Sequence, residues 1–179
     1  MKKVAIIIGS TRPGRRSPEV AAWLSSQLSR SKSVHFSTID LCDVNLPFLD
    51  EQNIPATGKY QQEHTKKWQA TINEYDGVIL LFPQYNWGYP AVLKNAIDYL
   101  AAEWTDKPVA MVTFGGHGGA QAQTAMKLVL TGLHTKQLAT NPQLSLNVTD
   151  DPAKYQQMLH HYDFEASLLK QEFENLLAE

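Results

Sequence analysis

Residues Val78-Ile79-Leu80-Leu81-Phe82 form an unbroken apolar run that ends on Pro83, and any fold of this chain has to bury it. Such a run has no polar face, so it predicts a strand covered on both sides, as in a parallel sheet with helices above and below. The residues beyond supply one of those helices. Pro90 suits a first helical turn, and Leu93, Ala96, Ile97 and Leu100 recur at helical spacing.

The same alternation runs along the chain. Val4 to Ile8 predicts a buried first strand. Ser17-Pro18 opens a helix with cap chemistry, and Val20, Trp23, Leu24 and Leu28 share its inner face. Val34 to Ile39 is a second strand, poorer in apolar residues and therefore an edge. A long loop, Asp40 through Pro55, contains Leu46-Pro47-Phe48-Leu49, after which Tyr60, His64, Trp68, Thr71, Ile72 and Tyr75 trace a helical face. Lys107 to Phe114 predicts a fourth strand and Ala120 to Leu133 its helix. A fifth strand is expected within Thr135 to Val148, where Asn141-Pro142 interrupts the pattern. Asp150 or Asp151 caps one last helix starting at Pro152, with a stripe of Tyr155, Leu159, Tyr162, Ala166, Leu169, Phe173 and Leu176. The expected architecture is one domain over residues 1–179, a three-layer α/β/α arrangement around a five-stranded parallel sheet of order 2-1-3-4-5.

Composition narrows the function classes. At 179 residues and 43% hydrophobic content the chain can bury a full core, and its net charge of −2 argues against a general nucleic-acid binder. No segment is long enough to span a bilayer, so no membrane insertion is expected. The apolar stretch after Met1-Lys2-Lys3 is too short for a signal peptide, and Arg12, Arg15 and Arg16 follow at once. The single cysteine, Cys42, allows no intramolecular disulfide, fits a reducing compartment and reads as a small semi-buried hydrophobe. A soluble, cytoplasmic protein is expected. No Cys, His or carboxylate cluster has metal-ligand spacing, and no Gly-x-Ser-x-Gly elbow appears.

A sheet of order 2-1-3-4-5 has its switch point between strands 1 and 3, so a ligand should touch the loops after strands 1, 3 and 4. These loops carry the chemistry. The first, Gly9 to Ser17, combines glycines, the hydroxyls of Ser10 and Ser17, three arginines (Arg12, Arg15, Arg16) and a following helix start, which suits a terminal phosphate dianion. It lacks the Gly-Lys-Ser/Thr ending of a nucleoside-triphosphate loop and the Gly-x-Gly-x-x-Gly spacing of a dinucleotide fold. The second, Pro83 to Pro90, sets Tyr85, Asn86, Trp87 and Tyr89 at the end of a buried strand, a surface suited to a flat heterocycle. The third, Gly115-Gly116-His117-Gly118-Gly119, lets the backbone approach a planar ligand closely. His117 has no identifiable orienting carboxylate and reads as a ligand or water contact. His160-His161 are adjacent on a helix and do not share a face.

Two of these motifs carry a resemblance that covers nearly the whole chain. Gly-Ser-Thr-Arg at 9–12, with Arg15 or Arg16 and Ser17, and Pro83-Gln84-Tyr85-Asn86 through Leu93-Lys94-Asn95-Ala96-Ile97-Asp98, are similar to the phosphate loop and flavin-ring loop of the flavodoxin-like NADPH-dependent FMN reductases. That group includes quinone, azo-dye and chromate reductases. The resemblance implies bound FMN, with NADPH or NADH as reductant and quinones, free flavin, azo compounds or chromate as small acceptors. It implies that Ser10, Arg12, Arg15 or Arg16, and Ser17 hold the phosphate. Pro83, Gln84, Tyr85, Asn86 and Trp87 would line one edge of the ring, and Gly115, Gly116 and His117 another. The flavin then carries the hydride chemistry, which accounts for the absence of a catalytic nucleophile or acid–base pair. Many relatives have an acidic residue where Gln84 stands and a Ser or Thr where Gly88 stands. A homodimer or homotetramer is implied. A flavodoxin-type electron carrier and a flavin-dependent redox sensor with a protein partner are the alternative readings.

Overall fold

The most apolar runs become the central strands. In the computed structural model, which describes residues 1–147 and 149–178, strand β3 (Gly77–Pro83) is buried at every position. Strand β1 (Lys2–Ile8) is buried from Val4 onward, and β4 (Pro108–Gly115) throughout its middle. Strand β2 (Val34–Asp40), buried fully only at Val34, lies at the edge as its composition requires. All pairings are parallel, and the order runs β2-β1-β3-β4-β5.

The fifth position in the sheet holds two short strands, β5 (Lys136–Gln137) and β6 (Gln143–Ser145), both paired with β4. Among the described residues the sheet therefore has six strands where five were expected. Pro142 has no N–H to give to a ladder, and the break is repaired by side chain. Asn141 Oδ1 accepts from Met111 N at 2.7 Å, its Nδ2 donates to Leu138 O at 2.7 Å, and Pro142 O accepts from Thr113 N at 3.0 Å. Val148, the last residue of the expected strand, lies outside the described residues.

Alternate residues of each strand feed two cores. On one face, Val4, Ile6, Ile79, Leu81, Ala110 and Val112 pack against helix α1 (Ser17–Leu28) and the C-terminal helices. On the other, Ala5, Ile7, Val78, Leu80, Phe82 and Met111 pack against α3 (Glu63–Asn73), α4 (Ala91–Asp98) and α5 (Ala120–Gly132). This is the three-layer arrangement expected of a buried parallel sheet. Trp68 and Trp104, almost wholly buried on that second face, donate their indole N–H to Ala96 O and Ile97 O at 2.8 and 3.0 Å. No described helix is long and apolar enough to cross a membrane.

Four local features differ from the sequence reading. The last helix is two, α6 (Pro152–His160) and α7 (Asp163–Leu177), although the buried stripe of Tyr155, Leu159, Ala166, Leu169 and Phe173 continues across the break. Asp163, just after it, accepts from Trp23 Nε1 at 2.8 Å and so fixes α7 on α1. A short helix, α2 (Leu41–Val44), opens the long loop, with the Asp40 carboxylate capping Cys42 N at 2.9 Å. Cys42 itself is exposed, not semi-buried. Pro90 sits just outside α4 as its N-cap.

Candidate functional site

β1, β3 and β4 end at the same edge of the sheet, and the three loops read from sequence meet there. They are bound to one another by specific hydrogen bonds. Gly9 N donates to Leu81 O at 2.8 Å, Gln84 N to Phe114 O at 3.2 Å, and the Ser10 and Tyr85 hydroxyls share a bond of 2.7 Å. Gly9 lets the first junction pack closely, since a Cβ there would stand 2.9 Å from Leu93 Cδ2 and 3.2 Å from Phe82 Cβ and would push both side chains aside.

A crevice of about 440 Å³ opens between these loops, within the usual range for cofactor sites. Arg12, Gly14 and Arg16 line one end, Pro83, Gln84, Gly115 and Gly116 the middle, and Leu146, Asn147, Thr149 and Asp150 with Tyr155 the far wall. Of the residues expected at a cofactor, Arg12, Arg16, Pro83, Gln84, Gly115 and Gly116 thus face one cavity. Ser10 is buried beneath the loop, against Tyr85. Asn86, Trp87 and His117 are exposed and, with Tyr85, lie outside the crevice lining. The far wall was not legible in the sequence. The only available signal was topological: the segment follows the last strand at the same sheet edge, but Asn141-Pro142 obscured where that strand ended.

The start of α1 is unusual. Ser17 was expected as its cap, yet Arg16 takes the N-cap position in helical conformation and offers no side-chain cap bond. Ser17 falls one residue inside, where its Oγ is buried without a partner. Among the described residues, the backbone N–H groups of Ser10, Thr11, Arg12, Gly14, Arg16 and Ser17 also find no backbone acceptor. Such a ring of unmet donors at a helix N-terminus is suited to an anion.

The three arginines have separated roles. Arg15 meets Asp40 in a two-pronged ion pair, Nη1–Oδ1 2.7 Å and Nη2–Oδ2 2.6 Å, and Nη1 also donates to Ser10 O. The Asp40 hydrogen bond outweighs desolvation and holds this guanidinium still more firmly protonated than usual. Arg15 does not line the crevice. Arg16 is tied to Glu19 at 2.9 Å and to Thr149 O at 2.7 Å, and its guanidinium lies 5.0 Å above the Tyr155 ring. Burial, aided by the Glu19 charge, pushes the Tyr155 hydroxyl up to about 12, so it remains a neutral phenol. Arg12 bonds only the neighbouring carbonyls of Pro13 and Gly14, with no carboxylate partner among the described residues.

Gln84 does two things. It lines the crevice, and its Oε1 accepts from Ala122 N at 3.1 Å in the first turn of α5. The side chain is thus a cap supplied from another loop, which explains why an acidic residue also fits this position. Gln84→Glu is expected to keep the bond, place a negative charge at a helix start, and add about 0.3–1 kcal/mol of stability. Gln84→Leu is expected to lose about 1 kcal/mol. Paired thermal unfolding curves of the two variants measure both.

The three-loop geometry agrees with the comparisons to known proteins. A family model described as NADPH-dependent FMN reductase matches residues 2–147. An NAD(P)H-dependent FMN reductase of Schizosaccharomyces pombe is 40% identical over 146 residues, covering 80% of this chain and 73% of that protein. A quinone reductase of Escherichia coli is 31% identical over 140 residues, covering 73% of this chain and 70% of its own length. Among solved structures, the flavoenzyme NAD(P)H:(acceptor) oxidoreductase FerB from Paracoccus denitrificans superposes with a TM-score of 0.67 at 21% identity, over 96% of this chain and 99% of that one. The structural match bears on the fold alone.

Proposed function

This chain belongs to the NADPH-dependent FMN reductase family, and on that premise we propose that the crevice between Gly9–Ser17, Pro83–Gln84 and Gly115–Gly116 is its FMN site. The protein is an FMN-dependent NAD(P)H oxidoreductase with a flavodoxin-like fold. The residues present fit the cofactor. The observation that carries the assignment is the buried Ser17 Oγ, which has no partner among the described residues, together with loop N–H groups and an Arg12 guanidinium that find no backbone acceptor and no carboxylate there. A phosphate dianion supplies the acceptors that those donors lack.

In this reading Ser17, the loop amides and Arg12 hold the phosphate. Arg16 joins the loop to Thr149 and Tyr155, closing the far wall. Bound FMN supplies two-electron hydride chemistry between the nicotinamide and a small acceptor, so the chain needs no nucleophile of its own. The protein positions and excludes. Ser10 and Tyr85 lock two loops together, Gln84 fixes α5, and the glycines at 115 and 116 leave room for a planar group against the backbone. Gly115, at φ 151°, holds a conformation that a side chain would strain.

Quinones, free flavin, azo compounds and chromate are the acceptor class we infer. The same reading places the protein in the cytoplasm as a homodimer or homotetramer. Exposed Phe48, Ile54 and Leu128 supply apolar surface for such contacts. The decisive test is a visible spectrum of purified protein given FMN, before and after NADPH. A bound-flavin band that bleaches with NADPH and returns with a quinone is expected. Protein that takes up no FMN, or whose flavin NADPH leaves oxidised, overturns the assignment.

A further inference from the structure

Tyr155 sits in the wall of the FMN crevice with its hydroxyl unused. Only 3% of the residue is exposed, and it lines the cavity. A buried phenol ordinarily finds a hydrogen-bond partner, and the other tyrosines of this chain keep that rule. The hydroxyls of Tyr60, Tyr75, Tyr85, Tyr99 and Tyr162 are all bonded within the protein. Tyr89 is partly exposed and open to water. The Tyr155 hydroxyl alone is both buried and without a partner among the described residues.

Local sequence fixes where this ring stands. Asp151 caps α6, accepting from Ala153 N at 2.9 Å and Lys154 N at 3.3 Å, and Pro152 starts the first turn. Tyr155 N closes that turn on Asp151 O at 3.0 Å. The ring packs in the core that holds Val20 and Leu24 of α1, with the Arg16 guanidinium 5.0 Å above its centre. Arg16 is also the N-cap of α1, so this contact brings α6 against the helix start to which the phosphate is assigned. The Arg16 charge is already balanced by Glu19. Tyr155 brings a donor to this end of the crevice without bringing charge.

We propose that Tyr155 belongs to the phosphate site, its hydroxyl donating to an FMN phosphate oxygen from the far wall; the proposal rests on the FMN assignment above. A phosphate dianion has acceptor capacity beyond one arginine and a few amides, and a bond to a charged acceptor is the stronger kind. The ribityl chain and the ring offer acceptors too, but Tyr155 meets the crevice beside Arg16 and the start of α1. Tyr155 lies beyond residues 2–147, over which the family match runs. Phosphate recognition in this chain therefore draws on α6 as well as on the loop after β1, and the cofactor helps to hold α6 against α1.

The test titrates apoprotein of the whole chain with FMN and with riboflavin in parallel, read by flavin fluorescence. Tyr155→Phe keeps the ring and its contact with Arg16, so the melting temperature of the apoprotein is expected to equal or exceed that of the wild type. Its Kd for FMN is expected to rise about tenfold, with the Kd for riboflavin unchanged. Hydrogen exchange supplies a second readout. FMN is expected to slow amide exchange in α6 of the wild type more than riboflavin does, and Tyr155→Phe is expected to lose most of that difference. A Tyr155→Phe protein that keeps the wild-type preference for FMN over riboflavin overturns the proposal. Equal losses for both flavins overturn it as well, since the contact then falls on the ribityl chain or the ring. A wild type that binds no flavin, or binds riboflavin as tightly as FMN, removes the underlying reading instead.

Discussion

Arg12→Ala is expected to raise the Kd for FMN by roughly tenfold to somewhat over a hundredfold, about 1.5–3 kcal/mol, while leaving riboflavin affinity unchanged. The reason is the distribution of counter-charges along the loop. Arg15 is already neutralised by Asp40, and Arg16 is engaged by Glu19 and by the Thr149 carbonyl. Among the described residues, Arg12 alone of the three bonds nothing beyond the carbonyls of Pro13 and Gly14, two weak local contacts that a dianion can replace at little cost. Titration of the apoprotein by flavin fluorescence, with FMN and riboflavin in parallel, measures the difference. Because the site is partly open to solvent, the FMN advantage should also shrink as salt rises. An Arg12→Ala protein that still prefers FMN over riboflavin by the wild-type factor would move the anchor to Arg16 or to the backbone amides alone.

That ranking of arginines shows where reading the chain reaches its limit. The buried strands were legible because periodicity and apolar runs are local properties; strand–helix alternation implied a parallel sheet, and the number of strands favoured the order 2-1-3-4-5 without fixing it. The convergence of Gly9–Ser17, Pro83–Gln84 and Gly115–Gly116 followed in turn from the topology. What local pattern could not supply was the pairing of residues distant in sequence. Arg12, Arg15 and Arg16 look equivalent in the chain; Asp40, 25 residues beyond Arg15, separates them. Gln84 looks like a ligand contact, but its side-chain oxygen is consumed by α5, 38 residues away. The wall formed by Leu146, Asn147, Thr149 and Asp150 stayed hidden because Asn141 performs with a side chain what a continuous strand would do with its backbone. Ser17 was misread for a related reason. A serine before proline at a helix start is ordinarily a cap, but here the cap position shifts by one and leaves the hydroxyl for something else.

Asp40→Ala is expected to weaken FMN binding, although electrostatics at long range argues the other way. Removing a negative charge near a dianion site should tighten the complex if the charge acted only through the field. Asp40 instead acts through geometry. Its carboxylate clamps Arg15, whose guanidinium reaches back to the Ser10 carbonyl, and Ser10 in turn holds the Tyr85 hydroxyl at 2.7 Å. The other function of Oδ1, capping Cys42 N, ties the same clamp to α2. With both partners about five-sixths buried, the pair lies between exposed and fully buried ion pairs, so its loss should cost about 1–3 kcal/mol of stability and lower Tm by several degrees. Arg15 without its partner would remain charged, and it would be free to leave Ser10 and disorder the loop amides to which the proposal assigns the phosphate. Asp40→Asn separates the two effects, since it removes the charge but keeps an oxygen acceptor for Cys42 N and for one arm of Arg15. The expected order of FMN affinity is therefore wild type above Asn above Ala, with riboflavin affinity changing less in each. The reverse order, with the neutral variants binding FMN more tightly than the wild type, would mean that Asp40 is felt by the phosphate as charge and that the loop keeps its shape without the clamp.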